Sequence, residues 1–226
     1  TDVYGEFGMI RSTVEMFGVL AGFGLGLTAT KHVAEFRSTA PERAGRVIAL
    51  SRVVALGTGG LMGLALFACA PWLAANTLAA GHLAGPLRIG CLVLLLSAMN
   101  GTQTGALAGF EAFKTIARVN VIVGLTSFPI VISGAYCAGL EGAVWALVLN
   151  LAVSWVLNHL ALRREAARVG VPYGFGGSAQ EWSLLWQFSL PATLGSAMVG
   201  PVYWACGAML VNRPGGYAEM GVYGAA

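Results

Sequence analysis

The chain has few charged residues and almost no aspartate or lysine. Only 10% of its 226 residues are charged, whereas a soluble domain contains roughly 25%. Aspartate occurs once, at Asp2, and lysine twice, at Lys31 and Lys114. A single aspartate excludes an Asp-x-x-Asp metal site for pyrophosphate chemistry. The net charge of +3 is too small and too evenly spread to indicate a nucleic-acid partner.

The chain also lacks a recognisable metal or catalytic motif. Its four cysteines include no Cys-x-x-Cys pair, so we interpret them as small buried hydrophobes, with two disulfides as the alternative. Its three histidines are far apart in the sequence. We therefore predict no metal, no cofactor and no enzymatic activity, although residues distant in sequence can still meet in a catalytic site.

Long apolar runs are what the sequence has in abundance. Hydrophobic residues make up 57% of the chain, and six stretches are long enough to cross the bilayer as helices of roughly 20 residues. These predicted spans are residues 7–29, 47–70, 86–110, 116–137, 140–162 and 184–211. A further apolar run begins near the end of the sequence. We predict an all-α polytopic membrane protein with six transmembrane helices and the start of a seventh.

The basic residues predict an orientation and a division into domains. Ten of them fall on one side of the membrane if the spans alternate, and only Arg88 and Arg213 fall on the other. The side richer in basic residues faces the cytoplasm, and it includes the polar, glycine-rich residues 163–182. The predicted units are an N-terminal bundle over residues 1–162, a cytoplasmic linker over 163–183 and the start of a second bundle over 184–226.

The first predicted span carries two charges, Arg11 and Glu15. They are four residues apart, so they lie on one helical face and can pair. A charge near the centre of a bilayer costs about 3 kcal/mol or more, so such residues usually face a cavity or a partner. The pair therefore either forms a charged wall of a substrate cavity or is a structural ion pair, and the sequence leaves both interpretations open.

Small and polar residues mark further helical faces. Two glycine series at four-residue steps predict close helix packing; they are Gly18, Gly22 and Gly26, then Gly101, Gly105 and Gly109. Polar residues of the third and fifth spans either line a water-filled cavity or form hydrogen bonds between helices. These residues are Ser97, Asn100, Gln103, Thr104, Glu111, Asn150, Ser154 and Asn158. Pro129 and Pro191 lie within spans, and we predict a kink at each.

The beginning and the end of the sequence carry a similar motif. Tyr4-Gly5-Glu6-Phe7-Gly8 near the start corresponds to Tyr217-Ala218-Glu219-Met220-Gly221 near the end. Each copy precedes an apolar run, and the predicted orientation puts both outside the cell. Equivalent positions in two halves are typical of transporters built from structural repeats.

Three stretches resemble a known family. The first consists of Tyr4-Gly5-Glu6-Phe7-Gly8-Met9-Ile10-Arg11-Ser12-Thr13 followed by Ala21-Gly22-Phe23-Gly24-Leu25-Gly26-Leu27-Thr28-Ala29-Thr30-Lys31. The second is Asn100-Gly101-Thr102-Gln103-Thr104-Gly105-Ala106-Leu107-Ala108-Gly109-Phe110-Glu111-Ala112-Phe113-Lys114, and the third is Phe188-Ser189-Leu190-Pro191-Ala192. They resemble parts of the second, fourth and seventh helices of polysaccharide-biosynthesis exporters. These are the O-antigen and lipid-linked oligosaccharide flippases of the multidrug/oligosaccharidyl-lipid/polysaccharide (MOP) superfamily.

The resemblance implies a fold, an activity and partners. The family has two six-helix bundles around a central cavity, so we expect the chain to be part of a longer protein, with residues 1–162 supplying helices two to six. The implied activity is export of an undecaprenyl-pyrophosphate-linked oligosaccharide across the bacterial cytoplasmic membrane by alternating access, as in lipopolysaccharide synthesis. Arg11 is the candidate contact for the pyrophosphate. Implied partners are this substrate, membrane lipids and the polymerase and ligase machinery of polysaccharide synthesis.

Two other functions remain as alternatives. A proton- or sodium-coupled multidrug exporter of the same superfamily would use an intramembrane acid, here Glu15 or Glu111. A polytopic membrane glycosyl- or phosphotransferase would need acidic metal ligands or a catalytic loop, and the sequence offers no motif for either.

Overall fold

The described chain is built from α-helices. The computed structural model describes residues 2–172 and 181–224, and these contain no strand. The helices are α1 (Asp2–Gly22), α2 (Leu25–Phe36), α3 (Pro41–Trp72), α4 (Ala84–Gly109), α5 (Phe113–Val169), α6 (Trp182–Ala197), α7 (Val199–Val211) and α8 (Gly216–Tyr223). A π-helical turn, Leu73–Thr77, and a short 3-10 turn, Gly81–Leu83, connect α3 to α4. Residues 173–180 of the predicted linker lie outside the described residues.

Among the described residues, five helices are long and apolar enough to cross a membrane, so the predicted count of six is not confirmed. The difference arises at α5, which continues as one helix of 57 residues where the sequence predicts two spans. Its backbone leaves helical geometry at Ala138 and Gly139, between the two predicted spans. Thr115 donates to Glu165 over 2.9 Å, so the two halves of α5 fold back on one another as an antiparallel hairpin.

The first apolar run is also interrupted. Phe23 and Gly24 have positive φ angles of 43° and 58°, and they separate α1 from α2. The predicted span over residues 7–29 lies within the candidate span Asp2–Phe36, but its helix is interrupted at Phe23 and Gly24. A side chain favours the right-handed region, so Gly24 supplies the conformational freedom that the break needs. Its position also leaves little space, because a Cβ there would lie 3.0 Å from Ala192 Cβ of α6.

A helix break and a proline coincide at one place in the described residues, near Pro201. Helical structure continues through Pro129 in α5 and through Pro191 in α6. The break falls at Met198, between α6 and α7. Pro201 has no N–H to bond the carbonyl of Ala197 four residues earlier, which explains why α6 ends there.

Side-chain contacts between helix termini lie at both ends of the bundle. At one end, Arg37 pairs with Glu111 over 2.6 Å, next to the Thr115–Glu165 bond. At the other end, Asn212 donates to the carbonyl of Thr77 over 2.7 Å. We call the first the basic end, because it holds the loops with most basic residues, and the second the opposite end.

The outside of the bundle is apolar, as lipid contact requires. Large exposed side chains include Leu64, Leu125, Phe128 and Met198, each at least 70% exposed. The cysteines correct one prediction: Cys69, Cys137 and Cys206 are exposed, and Cys91 is partly buried. All four are unpaired, so the disulfide alternative does not apply in this structure.

Candidate functional site

The polar face of α1 carries an ion pair, the Arg11–Glu15 pair. Arg11 Nε donates to Glu15 Oε1 over 2.7 Å. The two side chains are 65% and 63% exposed, whereas Met9 and Ile10 in the preceding turn are fully buried. One face of this helix is therefore apolar and buried, and the other carries an exposed charged pair.

A first cavity, of about 610 Å³, opens on one side of this pair between α1, α7 and α8. Its wall combines Arg11 and Glu15 with aromatic rings. The rings belong to Tyr4, Phe7, Tyr203 and Tyr223. Tyrosine offers an apolar ring and a polar hydroxyl, so this wall suits an amphipathic ligand that carries a charge.

A second cavity, of about 470 Å³, lies on the other side of the pair between α1, α4 and α5. Arg11 and Glu15 line it together with Ser97 and Asn150. Asn150 Oδ1 is buried and accepts no hydrogen bond from the described residues. A buried acceptor without a protein partner is costly, so this oxygen marks a place where water or a ligand hydroxyl is stabilised.

The other predicted polar residues of α4 join helices together. Asn100 Nδ2 donates to the carbonyl of Leu151 over 3.0 Å, and its Oδ1 accepts from Asn158 Nδ2 over 3.1 Å. The Gln103 amide, oriented to satisfy both partners, donates to the carbonyl of Trp155 and accepts from its indole N–H, each over 3.1 Å. For Asn100 and Gln103, the hydrogen-bonding interpretation describes the structure. Thr104 is half-buried on the same helix.

Glu111 does not lie on the polar face of α4, which corrects the prediction. The helix ends at Gly109, and Glu111 follows in the turn with a positive φ of 57°. Its carboxylate pairs with Arg37 over 2.6 Å at the basic end. The spacing to Asn100 places Glu111 on the shared face only if the helix continues past residue 110, where the predicted span ends.

The glycine series divide into tight and open positions. A Cβ on Gly105 would overlap the backbone of Gly26, and one on Gly109 would lie 2.8 Å from the carbonyl oxygen of Thr30. These two residues let α4 approach α2 closely. A Cβ on Gly18 would lie 3.7 Å from Leu94, an ordinary contact, while Gly22 and Gly101 have no atom within 4 Å of that position.

The two copies of the repeated motif pack against each other. A Cβ on Gly5 would overlap the carbonyl of Tyr217, so α1 and α8 touch through their backbones. Tyr4 Oη donates to the carbonyl of Gly224 over 3.3 Å, and Tyr217 Oη donates to the carbonyl of Leu78 over 2.7 Å. Sequence spacing suggested equivalent positions for the motifs but gave no indication that they meet.

Hydrogen bonds also join α6 to α2 and α7 to α1, and they were not predicted from the sequence. Thr28 and Ser189 share a buried hydrogen bond of 2.7 Å between α2 and α6. The indole N–H of Trp204 in α7 donates to Thr13 of α1 over 2.9 Å. Small hydroxyl residues in apolar helices were the available signal, since they bond across helices.

Glu181 pairs with two arginines at the basic end. Its side chain is 6% exposed and accepts from Arg43 over 2.9 and 3.0 Å and from Arg46 over 3.3 Å. Hydrogen bonding to Arg43 lowers the pKa of this carboxyl, although burial opposes the shift. At the opposite end, burial and nearby Glu6 raise the pKa of Tyr217 to about 12.

The described residues contain no candidate metal site, and one of three comparisons with known proteins gives a match. Within residues 2–172 and 181–224, no three His, Cys, Asp or Glu side chains are grouped so that they could hold a metal ion. The comparison with curated proteins gives no match, and neither does the comparison with solved structures. A protein-family model described as "Polysaccharide biosynthesis protein" matches residues 1–226, the whole chain.

Proposed function

The chain belongs to the polysaccharide biosynthesis protein family, and from this premise we propose that it is a membrane flippase for a lipid-linked oligosaccharide. The cargo would be an oligosaccharide on undecaprenyl pyrophosphate, moved across the bacterial cytoplasmic membrane without a chemical step. The observation that carries the proposal is the exposed Arg11–Glu15 pair between two cavities of an apolar helical bundle.

The pair suits a ligand that carries a phosphate. The guanidinium fork of arginine matches the oxygens of a phosphate, and Arg11 is more than half exposed. In this conformation Glu15 accepts a hydrogen bond from Arg11 Nε, so an arriving pyrophosphate competes with Glu15 for the guanidinium. This competition keeps binding reversible, as transport requires. The unpartnered Asn150 oxygen offers an acceptor for a sugar hydroxyl.

Alternating access is supported by two separate sets of contacts between α1–α2 and α6–α8. Thr28 and Ser189 make one near the basic end, and Gly5 and Tyr217 make the other at the opposite end. The break at Phe23 and Gly24 lies between them along the chain. In the proposed cycle one set opens while the other stays closed, and the break acts as the hinge.

The orientation and the partners follow from the same proposal. The excess of basic residues in the loops supports a cytoplasmic location for residues 163–182. The proposed two-bundle fold assigns α6 to α8 to the start of the second bundle. The oligosaccharide would pass to polymerase and ligase machinery on the outer side of the membrane.

The test is replacement of Arg11 by alanine in the full-length protein, with surface glycan as the readout. We expect Arg11→Ala to abolish surface glycan while the amount of membrane-inserted protein stays normal. Arg213→Ala is the matched control, because Arg213 is an exposed cation outside both cavities. Normal surface glycan in Arg11→Ala cells would contradict the proposed role.

One observation favours a second candidate, a cation-coupled multidrug exporter. Glu15 is an exposed carboxylate that lines both cavities, and an intramembrane carboxylate can bind a proton or a sodium ion. Drug resistance that is gained on expression and lost in Glu15→Gln would favour this candidate over the flippase.

A further inference from the structure

The first two turns of α5 carry two positive charges without a partner. Lys114 and Arg118 are four residues apart, so they lie on one face of the helix. Both residues are exposed, and neither makes an ion pair, a hydrogen bond or a ring contact within the part of the chain that the structure describes. We call Lys114 and Arg118 the α5 cations.

The helix itself gains no stability from the α5 cations. Like charges at this spacing on a helix repel each other. Positive charges near the start of a helix are also disfavoured by the helix dipole, and α5 begins at Phe113. An anion held by both side chains would offset the repulsion, so this arrangement favours a negatively charged ligand.

The acidic residues beside the α5 cations already have other partners. Glu111 precedes Lys114 by three residues, and its carboxylate pairs with Arg37 over 2.6 Å. Glu165 accepts a hydrogen bond from Thr115 over 2.9 Å and pairs with Arg168 over 3.7 Å. The α5 cations are therefore available to a ligand that approaches from outside the bundle.

The face that carries the α5 cations continues as an apolar surface toward the middle of the bundle. Ile122 and Leu125 follow Arg118 by four and seven residues, so they lie on its face, and they are 46% and 72% exposed. From residue 113 to residue 137, Val119 alone is buried, so this half of α5 lies on the outside of the bundle. One exposed face thus has two charges at the basic end and apolar side chains below them.

Both charges can reach the level of the lipid headgroups. Arg118 lies one helical turn, or about 6 Å, deeper than Lys114. Helical side chains tilt toward the start of their helix, and a long arginine side chain can keep its charged head near water while its stem lies along an apolar surface. Because α5 starts at the basic end, this tilt brings the guanidinium toward the membrane surface.

We propose that the α5 cations bind the phosphate of an anionic phospholipid in the leaflet at the basic end, with an acyl chain along Ile122 and Leu125. Lys114 supplies a compact charge, and Arg118 supplies a planar fork of donors that matches phosphate oxygens. Basic residues next to transmembrane helices attract anionic headgroups in this way. A free phosphate has the same charge, but only a lipid also covers the two apolar side chains.

The proposed lipid site does not depend on the proposed function. None of its four residues lines either cavity beside the Arg11–Glu15 pair. It therefore stands whether or not the chain is a flippase.

The test measures lipid binding to the purified full-length protein in detergent. Phosphatidylglycerol and phosphatidylcholine with the same acyl chains are titrated separately, and the first bound lipid is followed by native mass spectrometry. We expect the wild type to bind phosphatidylglycerol more tightly than phosphatidylcholine. Lys114→Gln and Arg118→Gln should each weaken phosphatidylglycerol binding about fivefold, and the double variant about thirtyfold. Both substitutions change exposed residues, and thermal midpoints without added lipid check that the variants are folded.

Two variants and a soluble ligand serve as controls. Arg213→Gln removes an exposed cation from the opposite end and should bind phosphatidylglycerol as the wild type does, and Arg118→Lys keeps the charge and should retain the preference. Glycerol 3-phosphate, which lacks acyl chains, should not displace the lipid. Four results would overturn the proposal: no preference in the wild type, unchanged binding in the double variant, an equal loss in Arg213→Gln, or displacement by glycerol 3-phosphate.

Discussion

Two polar regions of the bundle differ in what their side chains contact. On α1, Arg11 and Glu15 pair only along their own helix and stay more than half exposed. Between α4 and α5, Asn100 and Asn158 are buried and bonded to each other. Polar groups that are satisfied inside a helix interface hold helices together, whereas exposed ones remain available to a ligand. The first region is therefore the candidate binding site and the second is structural.

Disrupting the close packing of α2 against α4 should have the largest effect on stability. In Gly105→Ala the new Cβ overlaps the backbone of Gly26, so α2 and α4 must move apart. We expect a loss of about 1–3 kcal/mol in the free energy of unfolding, measured by thermal or denaturant unfolding in detergent. Gly101→Ala is the matched control, because the same substitution there meets no atom within 4 Å. Equal stability of the two variants would contradict the close packing.

Removal of the Asn100 side chain should have the next largest effect. Asn100→Leu deletes the bonds to Leu151 and Asn158. Interhelical hydrogen bonds in membranes contribute about 0.6 kcal/mol each on average, so we expect a loss of about 1–2 kcal/mol with transport retained. Asn120→Leu, at an exposed asparagine of α5, should leave unfolding unchanged. A stable but inactive Asn100→Leu protein would show that Asn100 acts in substrate binding rather than in helix packing.

The buried ion pair of Glu181 should give a smaller, pH-dependent effect. Its folded-state pKa is lowered by Arg43, so the pair stabilises the fold above the ordinary carboxyl pKa and loses that contribution as acid protonates Glu181. The thermal midpoint of Glu181→Gln should lie below that of the wild type at pH 7, and the gap should close below about pH 4. Glu42→Gln, at an exposed acid of α3, should show no gap. If the difference in thermal midpoint between Glu181→Gln and the wild type persisted in acid, the ion pair of Glu181 would not be its cause.

The sequence predicted the apolar helices and the Arg11–Glu15 pair, because both depend on local spacing. The sequence was a poorer guide to the positions at which the helices are interrupted. Glycines stand at positions 22, 24 and 26 of one apolar run, and nothing local distinguishes Gly24 as the one that adopts positive φ next to α6. Asn150 and Asn158 lie on one helical face two turns apart, yet one lines a cavity and the other bonds Asn100. Partner helices decide these roles, and one sequence does not reveal which helices are neighbours.

In the proposed function, Arg11 acts on the substrate and contributes little to stability. The most direct measurement is the rate at which purified full-length protein flips a lipid-linked oligosaccharide in proteoliposomes, with thermal midpoints measured on the same samples. An exposed ion pair contributes roughly 0–1 kcal/mol, so Arg11→Gln and Arg11→Lys should both unfold close to the wild type. We predict that Arg11→Lys flips the substrate at a reduced rate and that Arg11→Gln does not flip it. Flipping by Arg11→Gln at the wild-type rate would contradict the claim.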